Sequence, residues 1–229
     1  MTLPSHPWRL DNQMIRPRVS LDNERIRKIG SVSTEPICIP ELVFRENWKT
    51  TPAARPLTQA QVAHPGLVLA LHGTGARQLK KSHHDEIDGD PYYIWSGKCD
   101  GAWAISLRHR NALIDLSRGG LVRWNAKQSG SRRLRLILKP EDRPWVVSDQ
   151  FHGASAGWHE YEIEIAKATW RELEIETVTP GESLAGASLG LEHIDAIGVT
   201  DLMPGDGSGN CSRLDWIEVW GRSVTRASP

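Results

Sequence analysis

The segment Leu79–Gly97, LKKSHHDEIDGDPYYIWSG, gathers two lysines, two histidines, four acids and three aromatic residues into nineteen positions. A stretch that only had to pack would not need this mixture. Imidazole beside carboxylate can transfer protons or hold a divalent metal. Aromatic faces stack against the C–H faces of sugar rings, and lysine neutralises an anion. In this reading His83 or His84 acts as base or metal ligand, with Asp85 or Glu86 as its partner. His83, Asp85, Asp88 and Asp90 form a candidate set for a transition metal, although no HExxH or other fixed metal spacing is present. On a strand His83 and Asp85 would point one way and His84 and Glu86 the other; on a loop they could converge. Gly89 and Pro91 favour a loop that ends just before a strand from Tyr92. On that strand Tyr93 and Trp95 share a face, with Tyr92 opposite, and the shared face serves equally as sugar platform or core. Lys80 and Lys81 could neutralise an acidic sugar, and Lys81 is taken as a substrate contact.

A second candidate surface combines Arg123, Trp124, Arg135, Trp145 and Asp149. Guanidinium forks suit carboxylates and hydroxyl pairs, and with the two tryptophans they are expected to line one concave sheet face; Arg133 and Arg135 serve as well as solubilising charges. Asp201 and Asp206, among glycines, make an oxygen-rich loop of the kind calcium takes. Gly153-Ala-Ser155-Ala-Gly157 matches GxSxG, but a nucleophile elbow needs a helix after it. Alternation from Trp158 predicts a strand there, so the stretch reads as a loop of small residues.

The elements that must position these groups are strands. Apolar residues recur every second position in Leu67–Leu71, Trp103–Leu107, Leu134–Leu138, Tyr161–Ile165 and Leu173–Ile175, which puts one face in a core and the other in water. Turn signals separate the runs: Gly119-Gly120, Ser129-Gly130, Pro140, Gly153, Pro180-Gly181 and Pro204-Gly205. Without long helical stretches between them, such strands predict an all-β chain: an antiparallel β-sandwich or jelly roll over residues 41–225. Residues 1–40, rich in charge and punctuated by proline, read as an irregular, extended N-terminal arm with a helical turn near Asn23–Ile29. Residues 41–66 read as irregular too, apart from a short helix over Thr58–Ala63 capped by Thr58.

Composition limits the partners. The 229 residues carry 28 Lys plus Arg against 28 Asp plus Glu, so neither a nucleic-acid footprint nor an anionic-membrane surface is expected. No apolar run is long enough to span a bilayer as a helix. Met1–Leu10 lacks the apolar core of a secretory signal, so the chain as it stands is expected in the cytoplasm, and outside it if a leader has been removed. Three cysteines without CxxC spacing read as reduced thiols or at most one bridge. Ten tryptophans against two phenylalanines suit either a sugar-handling surface or a Trp-rich sandwich core.

The stretch from Asn111 to Gly221 also resembles the galactose-binding-like jelly rolls, which include carbohydrate-binding modules and the complex I intermediate-associated protein family. The resemblance lies in the order of pieces. A DLS strand start (Asp115–Ser117) leads to a strand ending in Arg123-Trp124. RRLRLILK (132–139), WVVSDQ (145–150) and GWHEYEIEI (157–165) follow. LEHIDAIGVTDLMPGDGSG (191–209) then precedes the closing strand LDWIEVWG (214–221). It implies sugar binding on a sheet face or loop rim, with calcium as an occasional structural ion. The principal expectation is therefore a carbohydrate-recognising β-sandwich that stacks a glycan on Trp and Tyr and fixes its hydroxyls with Arg and Asp. A sugar-active lyase or hydrolase centred on His83–Glu86 is the alternative. An assembly protein whose N-terminal arm wraps a partner or a second copy is the third reading. No cofactor is fixed by these readings; a divalent metal, calcium or a transition ion, is what the acidic residues and histidines could hold.

Overall fold

The computed structural model describes residues 39–185, 189–204, 207 and 209–226, and all of these belong to the unit Cys38–Pro229. Residues 1–38 of the N-terminal arm, with its helical turn and Cys38, and Asp206 lie outside the described residues.

The strands run in chain order as β1 (Glu41–Glu46), β2 (Leu67–His72), β3 (Lys80–Ser82), β4 (Tyr93–Trp95), β5 (Ala104–His109), β6 (Ala112–Asp115) and β7 (Leu121–Gln128). They continue as β8 (Arg135–Pro140), β9 (Trp145–Ser148), β10 (His159–Glu164), β11 (Trp170–Glu174), β12 (Thr179–Ser183), β13 (Ile194–Thr200) and β14 (Ser212–Thr225). All their pairings are antiparallel. The first sheet runs β10-β7-β14, with β1 and β4 both on the far side of β14 and β3 beyond β4. The second runs β12-β11-β9-β8-β13-β5-β2. The 14-residue strand β14 belongs to both: Ser212–Trp220 pairs with β7, and Arg222–Thr225 pairs with β6 on the second sheet. The crossing falls at Gly221, where an added Cβ would stand 2.7 Å from the Asp115 carbonyl oxygen.

The chain is thus all-β, an antiparallel sandwich, and the period-two alternation decides which side chains meet in it. Val122, Trp124 and Ala126 of β7, Ile163 of β10, and Leu214, Ile217 and Val219 of β14 are buried from the first sheet. Ile105, Leu107, Leu136, Leu138, Ile197 and Val199 meet them from the second. β14 keeps its core face despite a bulge between Leu214 and Trp216, which turns Asp215 and Trp216 outward together. A smaller cluster (Ala104, Ile137, Val147, Leu173, Val178) covers the outer face of the second sheet.

β1 corrects the reading of residues 41–66 as irregular. Phe44 is buried, and the strand pairs with Ile217–Gly221 of β14. Its partner lies more than 170 residues away, so nothing local announced it. The short helix after Thr58 is present as a single 3-10 turn, Gln59–Gln61, closed by a capping box: the Thr58 amide donates to Gln61 Oε1 at 2.8 Å and the Ala60 amide to Thr58 Oγ1 at 3.3 Å. The loop between β1 and β2 is pinned by the buried Glu46 carboxylate, which accepts from the amides of Trp48, Ala63 and His64 at 2.7, 2.7 and 2.9 Å. Cys99 and Cys211 are free and buried; burial pushes the Cys99 thiol up to about 12.

Candidate functional site

β3 and β4 form an edge hairpin, with the segment His83–Tyr92 as its connection, and the alternation of β3 continues into the two histidines. Ser82 and His84 fall on the outer face of the first sheet, beside Tyr93 and Trp95. Lys81 and His83 fall on the opposite side, beside Tyr92. The acid-and-histidine cluster is therefore split between two places.

On the outer face, Lys80, Ser82, His84, Tyr93, Trp95 and Arg213 line a groove of about 170 Å³. His84 Nδ1 lies 2.9 Å from Asp90 Oδ2 and 3.0 Å from the Tyr93 hydroxyl. The same Asp90 oxygen accepts from the His84 amide at 3.0 Å, so the imidazole is fixed from two directions. Lys80 Nζ stands 5.8 Å from the centre of the Trp95 ring, and the Trp158 ring packs 5.3 Å from Tyr93. Tyr93 is only 2% exposed; burial pushes its phenol up, so the hydroxyl is a neutral donor and acceptor at physiological pH. Trp95 is half-buried and lines the groove. Farther along the same face the bulge presents Asp215, bonded to Asn125 Nδ2 at 2.8 Å, and burial pushes this carboxyl up as well, with Asp90 adding to the effect.

On the other side, His83 Nε2 lies 3.2 Å from Asp85 Oδ1 and its Nδ1 lies 3.3 Å from the Pro91 carbonyl. Tyr92 stacks on the imidazole at 4.0 Å and 13°. With Thr50–Ala53 these three residues line a cavity of about 350 Å³. Asp85 is 98% exposed at its side chain, so the ion pair is solvent-screened and weak.

Several expectations are corrected by this placement. Lys81 is fully buried, donates to the Thr51 carbonyl and sits 3.8 Å from the centre of the Tyr92 ring; burial lowers its pKa. It is Lys80 that faces the groove, because a one-residue step along a strand reverses the face. Glu86 and Asp88 are exposed on the connecting loop and join neither histidine. The candidate metal set His83, Asp85, Asp88 and Asp90 is not assembled, and among the described residues no three His, Cys, Asp or Glu side chains are grouped to hold a metal.

The second surface is also divided. Arg123 pairs with Glu162 at 2.8 Å on the first sheet, whereas Trp124 beside it is 0% exposed and belongs to the core. Arg135, Trp145 and Asp149 lie on the second sheet. Arg135 donates to the Ser148 and Asp149 carbonyls at 2.8 and 2.7 Å, Asp149 pairs with Arg171 at 2.7 Å, and Trp145 packs edge-on to His72 at 5.1 Å. No single concave face contains all five.

Asp201 does not suit calcium. Its Oδ2 faces the buried Arg132 guanidinium at 3.4 Å and accepts from Ser212 Oγ at 2.9 Å, while Oδ1 accepts from the Met203 amide at 3.1 Å. That carboxylate is thus engaged by a fixed guanidinium. Burial nevertheless pushes the carboxyl up to about 6, against the pull of Arg132. The Gly153–Gly157 segment is followed by β10 rather than a helix, and Ser155 Oγ donates to the Gly157 carbonyl at 2.8 Å.

Sequence reasoning missed Ser82 and Arg213 as groove residues. Arg213 sits on the closing strand, more than 110 positions from Trp95, and only the pairing of β14 with β4 brings the two together.

No family model and no curated protein matches the chain. Among solved structures it is similar to a family 11 carbohydrate-binding module from Clostridium thermocellum, in complex with a β-1,3-1,4-mixed-linked tetrasaccharide. That identity is 13% and the TM-score 0.42, over 82% of this chain and 99% of that one. It is similar also to a family 29 carbohydrate-binding module from Piromyces equi, at 14% identity and a TM-score of 0.43, over 80% of this chain and 90% of that one. At identities this low the likeness says nothing about ligand or residue roles.

Proposed function

We propose that the protein recognises a carbohydrate on the outer face of its first sheet, in the groove between β3, β4 and β14. The observation that carries this reading is the composition of that groove. Trp95 supplies an aromatic wall, while Lys80, Ser82, His84, Arg213 and the hydroxyl of the buried Tyr93 supply donors and acceptors around it. Sugars need this combination, because a pyranose presents an apolar C–H face and a rim of hydroxyls. The groove is built on strands, and His84 is fixed by Asp90 and Tyr93, so little ordering cost is left for binding. The resemblance of residues 111–221 to galactose-binding-like jelly rolls supports the same reading.

The test is affinity chromatography of a mixed oligosaccharide panel over the immobilised protein, with every eluted sugar mass-measured. Retarded, chemically unchanged sugars are expected. Trp95→Ala should weaken retention by about 2 kcal/mol, roughly thirtyfold in Kd, and His83→Ala, on the other side of the hairpin, should leave it intact.

One observation favours a second reading, a sugar-active enzyme. His83, oriented by Pro91 and paired with Asp85, overlooks the cavity beside Thr51 and Tyr92, which is the arrangement of a general base with its partner. Products differing by one water, lost in His83→Ala, would establish it in place of the binding reading.

A further inference from the structure

An imidazole has two ring nitrogens, and the protein engages His84 at only one of them. Asp90 Oδ2 lies 2.9 Å from Nδ1 and also accepts from the His84 backbone amide at 3.0 Å. An ionised carboxylate accepts hydrogen bonds and donates none. A carboxylate oxygen this close to a ring nitrogen needs a proton between them, so the neutral imidazole carries its proton on Nδ1. The Tyr93 hydroxyl, 3.0 Å from the same nitrogen, is compatible with either form of the ring, because a phenol both donates and accepts. It also has the side chains of Ser82 and Arg213 to bond. Asp90 is therefore the group that decides which nitrogen is protonated.

With the proton on Nδ1, Nε2 keeps its lone pair. Both ring hydrogen bonds of His84 are made at Nδ1, and none of the described residues reaches Nε2. The Asp90 side chain is 10% exposed, whereas that of His84 is 42% exposed and lines the groove with Trp95. Of the other polar groups there, the ammonium of Lys80 and the guanidinium of Arg213 can only donate, and the hydroxyls of Ser82 and Tyr93 are bonded to each other. A sugar rim is made of hydroxyls that have protons to give as well as lone pairs to offer, so the groove needs an acceptor.

We infer that His84 Nε2 is the acceptor that reads a hydroxyl of the bound sugar, and that Asp90 is the positioning residue that holds the imidazole in the Nδ1–H form for this task. This rests on the carbohydrate reading and says how the groove selects. A sugar with a free hydroxyl facing Nε2 is taken; one that is deoxygenated or O-methylated there forfeits the bond. The two donors sharing one Asp90 oxygen also predict how substitutions behave. In Asp90→Asn the amide oxygen has to occupy that place, since an NH2 there would face two N–H groups, so the ring form is kept. In Asp90→Ala the acceptor is gone. The Tyr93 hydroxyl then donates to Nδ1, and the ring proton moves to Nε2, which turns an acceptor into a donor.

The experiment is long-range proton–nitrogen NMR of the nitrogen-15-labelled full chain in mildly alkaline buffer, which tells a protonated ring nitrogen from a bare one. The His84 signals are assigned by their loss in His84→Ala. Parent and Asp90→Asn are expected to show protonated Nδ1 and bare Nε2, and Asp90→Ala the reverse. The same proteins are run against malto-, cello-, xylo-, manno- and galacto-oligosaccharides. His84→Ala and Asp90→Ala should weaken retention about tenfold, and Asp90→Asn should restore it to within about threefold of the parent. Each retained sugar should shift the Nε2 signal of the parent and leave Nδ1 protonated. A parent ring protonated at Nε2, or a bare Nε2 that does not respond to a retained sugar, overturns the inference and leaves the carbohydrate reading standing. No retention of any sugar overturns both.

Discussion

The backbone at Gly97 lies against the indole of Trp95: a Cβ there would come within 2.3 Å of Trp95 Cζ2 and 2.8 Å of Nε1. One side of the groove's tryptophan is therefore held by a residue without a side chain, which sets how the ring is presented to Lys80 and Arg213. Gly97→Ala should turn the indole out of place. The expected outcome is a loss of saccharide affinity of about tenfold, smaller than that of Trp95→Ala, with a thermal midpoint within a few degrees of the parent. Calorimetry and a melting curve on the same sample check both halves.

The buried pair Arg132–Asp201 ties the turn between β7 and β8 to the end of β13. Arg132 also donates to the carbonyls of Asn210, at 3.0 Å, and of Pro204, so it holds together the strand ends from which Arg213 projects. Arg132→Met leaves the Asp201 carboxylate buried without its countercharge and should cost about 3–5 kcal/mol in urea unfolding. Adding Asp201→Asn to that variant should recover part of the loss, since no uncompensated charge then remains.

Asp201 should also titrate late. Its carboxyl stands at about 6 in the folded protein against 3.8 ordinarily, so the folded state holds this proton more tightly than the unfolded chain does. Its contribution to stability is therefore fully present below pH 3.8 and is lost as pH rises through about 6. Asp115 works in the opposite sense. Burial alone would raise its carboxyl, but Ser117 and Arg222 hold it below the usual carboxylate range, and what it contributes is lost as pH falls. Comparison with Asp201→Asn isolates the first effect: between about pH 4 and 6 the parent should lose stability relative to the variant, by up to roughly 3 kcal/mol. Carbon-13 NMR of the Asp201 carboxyl gives the titration directly.

Gly198 lies in the middle of β13, where an added Cβ would stand 1.8 Å from the Ile105 carbonyl oxygen. That oxygen is backbone on a paired central strand and cannot swing away. Gly198→Ala should cost about 3 kcal/mol or more, read as a fall in urea midpoint or as failure to accumulate folded protein. Gly157→Ala, at a position with no heavy atom within 4 Å of the added Cβ, should change the midpoint little.

Much of this protein was written locally. Leu67, Leu107, Leu136, Ile163 and Ile197 are buried because strands alternate their faces, and that period is visible in the chain. The Thr58 cap and the strand after Gly157 were legible for the same reason: each depends on residues within a few positions. So was the segment that matters, since few parts of a chain collect so many titratable and aromatic groups without a task.

The tertiary structure decided what that segment does with them. It put Lys80 in the groove and Lys81 in the interior, and set His83 and His84 on opposite sides of one hairpin. It sent Arg123 and Arg135 to different sheets, gave Asp201 a guanidinium partner, and made a strand of residues 41–46. The groove exists only because β3, β4 and β14 lie side by side in one register, which sets Lys80 opposite Trp95 and Trp95 opposite Arg213. Register depends on hydrogen bonds between residues distant in the chain and on which faces the core claims, and neither is a property of any local stretch.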